Sequence, residues 1–235
     1  MSEEEKSGWS LGMWILLIVV VLVFCLLSLP LMLRKKRDRG QTEAVSNARQ
    51  IGLALFEFQN EYGKFPDEST AAKIREKTGM RDHLGSTSSN DYFQQLIAAG
   101  IVSDKFIFFA KTGFTKKQKQ SDQAAGGPLA PGSVGFGYIL NGKSSLESKG
   151  NPVRPVVCTP LGFDGTSVSR QTFDRSIDDG NAIVLRIDNS VASLPIQKET
   201  RLAILGGGKT LLQTGPDTIW PSTENPVIIP PLPKP

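Results

Sequence analysis

Residues 44–67 read AVSNARQIGLALFEFQNEYGKFPD. Within them Ala44, Ala48, Ile51, Leu55, Phe58 and Tyr62 recur at spacings of 4, 3, 4, 3 and 4, the repeat of one apolar stripe along an α-helix. Asn47, Gln50, Glu57 and Glu61 fall between them. Gly63 supplies a helix stop, and Pro66 cannot continue a helix. A stripe of this kind needs a covering surface, so these six side chains are predicted to pack the helix on the rest of the chain.

Toward the N-terminus only Gly40 interrupts the pattern before residues 9–33, a run of 25 residues without a charge. Roughly 20 apolar residues span a hydrocarbon core, so this run is long enough for a transmembrane helix with some tilt. The run of 25 residues is longer than a signal-peptide apolar region, and bulky Leu31, Met32 and Leu33 run straight into Arg34, Lys35, Lys36 and Arg37, a stop-transfer pattern. One helix over residues 9–62 follows, on the order of 80 Å long. Pro30 removes one backbone hydrogen bond within it and is predicted to kink it.

The charge is uneven along the 235 residues. The chain nets +4, but the cluster at residues 34–39 alone carries five basic side chains and Asp38, while residues 1–8 are acidic. The basic character is therefore juxtamembrane, not spread on a folded face, which excludes a nucleic-acid-binding domain. By the positive-inside rule the cluster belongs in the cytoplasm. Cys25 lies in the apolar run and Cys158 far beyond it, so no intrachain disulfide framework reports the compartment. Cys158 reads as a buried small hydrophobe.

Beyond Gly63 the pattern breaks into short elements. Asp67 is placed to cap a helix over residues 68–78, and Asn90 one over residues 91–99. Strands are predicted at residues 105–110, 134–140, 153–159 and 201–205; Pro152 and Pro155 push the third toward a sheet edge. Residues 111–133 carry clustered Lys, Gln, Gly and Pro and read as a mobile insertion. The strongest hairpin signal is residues 182–194, with Asp188-Asn189 as a two-residue type I′ turn. Five prolines in residues 226–235 predict an extended or disordered tail. The organisation expected is a leader-like segment (1–8), a membrane helix (9–33), its amphipathic continuation (34–62), a globular α+β head (63–225) and a Pro-rich tail (226–235). The fold class is α+β, a long kinked helix packed on an antiparallel sheet.

Several of these residues together resemble the type IV pilins and the pseudopilins of type II secretion. The carriers are Gly8 followed by Trp9-Ser10-Leu11 and the apolar helix, Pro30 twenty-two residues after Gly8, and Tyr62-Gly63-Lys64-Phe65-Pro66 at the end of the first helix. The resemblance implies peptidase processing between Gly8 and Trp9. It also implies a single-pass protein of the bacterial cytoplasmic membrane with its head periplasmic or on the cell surface, against the charge rule. Other pilin-like subunits or their assembly machinery would be its partners. The family usually carries Glu five residues after the processed Gly; here that position is Met13, which implies a minor subunit. The alternative reading is a monomeric membrane-anchored extracytoplasmic binding or adhesion module with an unidentified surface ligand.

No catalytic constellation emerges. His83 is the one histidine and stands in a polar loop without a nucleophile-elbow spacing. Gly206-Gly207-Gly208-Lys209-Thr210 resembles the end of a phosphate-binding loop, but the leading Gly position is Ala203 and Gly215-Pro216 cuts off the required helix, leaving a tight turn. Asp178, Asp179 and Asn181 form an oxygen-rich turn whose spacing is not that of an EF-hand. Turn chemistry accounts for them, although the pseudopilin resemblance makes calcium a candidate there. The expectation is a structural subunit, not an enzyme, without a cofactor.

Overall fold

The computed structural model describes residues 11–79, 84–117 and 127–235; within the first helix the side chains at 11 and 26–39 are not described. The chain divides into two compact units, Met1–Arg39 and Gly40–Pro235. Helix α1, Leu11–Tyr62, is assigned without a break through Pro30 and Gly40.

In the second unit the fold is α+β. α1 ends where Gly63 adopts φ +88° and its N–H closes on the Gln59 carbonyl at 2.7 Å, a left-handed stop that glycine adopts without a Cβ penalty. Asp67 then caps α2 (Glu68–Thr78) in a reciprocal capping box with Thr70. α3 runs Ser89–Ala98, with its start set by Ser88 and not by Asn90. The Ser88 hydroxyl and the Asp91 carboxylate form the capping box, which leaves the Asn90 amide to bond the Leu129 and Ala130 carbonyls.

Five strands make the main antiparallel sheet: β1 (Gly137–Asn141), β2 (Pro155–Thr159), β5 (Asn181–Arg186), β6 (Val191–Pro195) and β9 (Pro226–Ile229), in the order β6-β5-β2-β1-β9. Two small hairpins, β3 (Leu161–Phe163) with β4 (Val168–Phe173) and β7 (Ile204–Gly206) with β8 (Lys209–Thr210), complete the described strands. β2 is buried at every position, so both faces of the sheet centre are covered. Ala44, Ala48, Ile51, Leu55, Phe58 and Tyr62 are all buried within the one core cluster, Ile51 and Phe58 completely. Phe58 stacks on Tyr62 at 4.5 Å.

Five further sequence expectations are corrected. Residues 105–110 do not form a strand: Lys105–Phe108 is a 3-10 turn capped by Asp104. Its backbone is satisfied from elsewhere, the Phe106 and Phe109 carbonyls accepting from Asn47 Nδ2 of α1 at 3.1 and 2.8 Å. β2 is central, not an edge; the missing N–H of Pro155 is tolerated because it opens the strand beside a register shift. The β5–β6 connection is not a type I′ turn. Arg186 N–H bonds the Ser190 carbonyl across a three-residue loop, and only Asn189 has positive φ, at +64°, the type I turn with a left-handed third residue. The two ends of the expected mobile insertion are held in place: Phe114 and Leu129 are buried, and Lys116 N–H bonds the Gly132 carbonyl. Finally, the Pro-rich tail is part of the sheet. Pro226–Ile229 pairs with β1 from Asn141 to Tyr138, and Leu232 and Lys234 N–H groups bond Asn90 Oδ1 and the Phe114 carbonyl.

Candidate functional site

The first unit offers an apolar helix surface. Every bulky side chain from Met13 to Phe24 is between 42% and 72% exposed. Leu, Ile, Val and Phe exposed in a contiguous patch mark a surface that contacts lipid or protein. Among the described residues no helix is long and apolar enough to cross a membrane, and in the apolar run side chains are described only over residues 12–25. Met13, at the position where pilins usually carry Glu, is among the exposed side chains. Pro30 lies within α1; Gly8, Trp9 and His83 lie outside the described residues.

In the second unit the turn after α1 is locked by a buried polar network. Asp67 is 2% exposed. Its carboxylate accepts from the Ser69 and Thr70 N–H groups, from the Ser145 N–H and hydroxyl, and pairs with Lys64. Burial works to raise this carboxyl, but the bonds from Lys64, Ser69, Ser145 and Thr70 together hold it below the usual aspartate value. The Asp67 carbonyl accepts from Gln95 Nε2 of α3, and Tyr138 Oη of β1 donates to the Pro66 carbonyl at 3.0 Å. The turn at residues 63–67 thus ties α1, α2, α3 and the sheet together.

The oxygen-rich turn is a left-handed corner. Asp178, Asp179 and Gly180 have φ of +51°, +55° and +77°, a conformation that Asp tolerates better than most residues. Asn181 Nδ2 donates to the carbonyls of Asp178 and Asp179. Asp178 is buried; that burial, with Asp179 beside it, pushes its carboxyl up to about 6 against the opposing pull of Lys111. Among the described residues no group of three or more His, Cys, Asp or Glu is arranged to hold a metal.

The Gly206-Gly207-Gly208 segment is the turn of the β7–β8 hairpin, with no helix after Thr210. Thr210, at the end of the hairpin, lines an open cavity of about 390 Å³ together with Gln171 of β4, Leu202, Ala203, residues 211–214 and residues 224–226. Behind this cavity Trp220 is fully buried, donates from Nε1 to the Leu211 carbonyl at 2.9 Å and carries the Arg154 guanidinium over its ring at 5.4 Å. Arg154 in turn pairs with Glu224 Oε1 at 2.8 Å. No motif in the sequence marked the cavity; only Thr210 was part of a stretch singled out for chemistry, and for a different one. A second hollow of about 350 Å³ lies at residues 162–172, bordered by Arg201 and the hydroxyls of Ser167, Ser169 and Thr172.

No protein-family model, curated protein or solved structure matches this chain.

Proposed function

We propose that the chain is a pilin-like structural or assembly subunit. In this proposal it is anchored by residues 9–33 in the bacterial cytoplasmic membrane, with its α+β head periplasmic or on the cell surface. The observation that carries the proposal is the exposed apolar surface from Met13 to Phe24 on the same helix whose later stripe, Ala44 to Tyr62, fills the head core. A helix that is apolar all round needs lipid or other apolar helices about it. The sequence continues the uncharged run to Leu33, which brings it to the length of a span. Pro30 serves as the kink of this helix. Met13 in place of a carboxylate fits a minor subunit that does not rely on a charge pair at that position.

Four measurements test this. Mass spectrometry of the mature chain should find Trp9 as the first residue; an intact Met1 removes the processing step. The protein should stay in the membrane fraction on alkaline extraction; release means residues 9–33 are not inserted. Protease added to intact spheroplasts should digest the head; protection restores the orientation that the Arg34–Arg39 charges favour. Substitution of Pro30 should impair assembly, and a wild-type chain that joins no assembly favours the monomeric anchored module.

A further inference from the structure

We infer that residues 34–39 are a binding collar for the headgroups of anionic phospholipids. The inference rests on the reading of residues 9–33 as a membrane helix, and not on assembly with other subunits. That reading makes no use of the cluster, whose charge opposes the proposed orientation.

The backbone brings the cluster to the level of lipid phosphates. α1 is helical without a break through residues 34–39, and the uncharged run ends at Leu33, directly before Arg34. At 1.5 Å per residue that run is about 37 Å long, against a hydrocarbon core of about 30 Å. With some tilt it fits the core, and its end meets the headgroups. Residues 34–39 then rise about 7.5 Å along the axis, close to the depth of one interfacial layer.

The positions also go round the helix. Successive residues lie about 100° apart, so positions 34, 35, 36 and 37 complete one turn, and position 39 falls between 35 and 36. The basic residues therefore ring the axis. A single basic face is what a nucleic acid needs; a ring matches a partner that surrounds the helix, as lipid does. The apolar surface before it is open on every side too, each bulky side chain from Met13 to Phe24 being exposed.

Charge selects the class of lipid. Five basic residues against Asp38 leave a net charge of +4. The acidic residue that follows, Glu43, is paired with Lys117 at 2.9 Å, and the one that precedes, Glu5, stands beyond the uncharged run. Lys and Arg form charge-assisted bonds to phosphate oxygens, and each beside an anionic membrane surface strengthens association by roughly fivefold. A zwitterionic headgroup balances its own phosphate and offers no such net attraction.

The test reconstitutes the full chain in phosphatidylcholine vesicles. Spin-labelled phosphatidylglycerol and spin-labelled phosphatidylcholine are added separately, and their immobilisation by the protein is read by electron paramagnetic resonance. Phosphatidylglycerol should be held roughly threefold or more tightly at about 0.01 M salt, and the preference should collapse at about 1 M, where the screening length is about 3 Å. The combined variant Arg34→Gln, Lys35→Gln, Lys36→Gln, Arg37→Gln, Arg39→Gln should lose the preference. The variant Arg34→Lys, Arg37→Lys, Arg39→Lys should keep it. If the Gln variant fails to reconstitute, the salt dependence of the wild type decides. No preference at low salt overturns the inference, as does one that the Gln variant retains or that high salt leaves undiminished. So does its loss to inorganic phosphate or duplex DNA at equal ionic strength. Alkaline extraction of the same vesicles separates the two failures. A chain that stays with the membrane without a lipid preference refutes the collar alone; a chain that is released refutes the membrane helix and the collar with it.

Discussion

Gly52 of α1 and Asn189 of the β5–β6 loop are packed so closely that a Cβ built on residue 52 would stand 2.0 Å from Asn189 Oδ1 and 3.2 Å from Leu185 Cδ1. The helix can lie on this loop because residue 52 has no side chain. Gly52→Ala should therefore destabilise the head by about 1–3 kcal/mol, despite the better helix propensity of Ala. Asn189→Gly suits the positive φ of that position and removes the obstruction, so the double variant should recover part of the loss. Urea denaturation of the four chains of the cycle gives the coupling; additive effects would mean that the two positions do not meet in solution.

Asp67 holds the corner where α1 gives way to α2. Asp67→Ala removes a helix cap and several bonds to a buried carboxylate, and should cost roughly 2–4 kcal/mol. Because its carboxyl is held below the ordinary value, its contribution is present in full above about pH 4 and is lost as pH falls through the folded value. The gap between wild type and Asp67→Asn should accordingly narrow on acidification, read from denaturation midpoints between pH 7 and pH 3.

Asp178 has the opposite sign. Its folded value of about 6 lies above that of an unfolded aspartate, so the native head holds this proton more tightly than the unfolded chain does. The stability it supplies is complete below about pH 4 and is lost as pH rises through 6. Asp178→Asn keeps the shape, tolerates the left-handed backbone and carries no charge to bury. It should be more stable than wild type at pH 7, by on the order of 1 kcal/mol, with the difference shrinking toward pH 4. A difference that does not change with pH would show that Asp178 is not buried as a carboxyl.

The two thiols should part company. Cys158 is completely buried in β2, and burial drives its thiol far above the ordinary range, so it offers almost no thiolate. A polar maleimide should leave it unlabelled in the native protein and modify it after denaturation. Labelling followed by peptide mass spectrometry reads this directly. Rapid native modification of Cys158 would mean that the centre of the sheet opens readily.

How much of this was legible in advance depends on how far each residue's partners lie along the chain. The stripe from Ala44 to Tyr62 and the caps around Asp67 follow from spacing within a few residues, and these features stand where the sequence places them. The β5–β6 hairpin was also local, but its turn type hinged on whether Asp188 or only Asn189 takes positive φ, which composition does not distinguish. Lys105–Phe108 misled because its carbonyls bond Asn47, 59 and 62 residues back; an apolar, aromatic run without a neighbouring strand looks the same as one with it. The Pro-rich tail misled because proline content argues against a strand interior, whereas β9 lies at the sheet edge, where a missing N–H is tolerated. The cavity was invisible because its lining is drawn from positions between 171 and 226, and none of those residue types is unusual alone.

The place of β9 carries a consequence for the order of folding. Asn225 N–H reaches back 84 positions to Asn141 Oδ1, and the ladder that follows joins β9 to β1. Closing so wide a loop is entropically costly and slow compared with the neighbouring hairpins. Until residues 226–229 have left the ribosome, β1 presents one bare edge, an invitation to pair with other chains. The sheet of the nascent head thus stays open at β1 until β9 has been made.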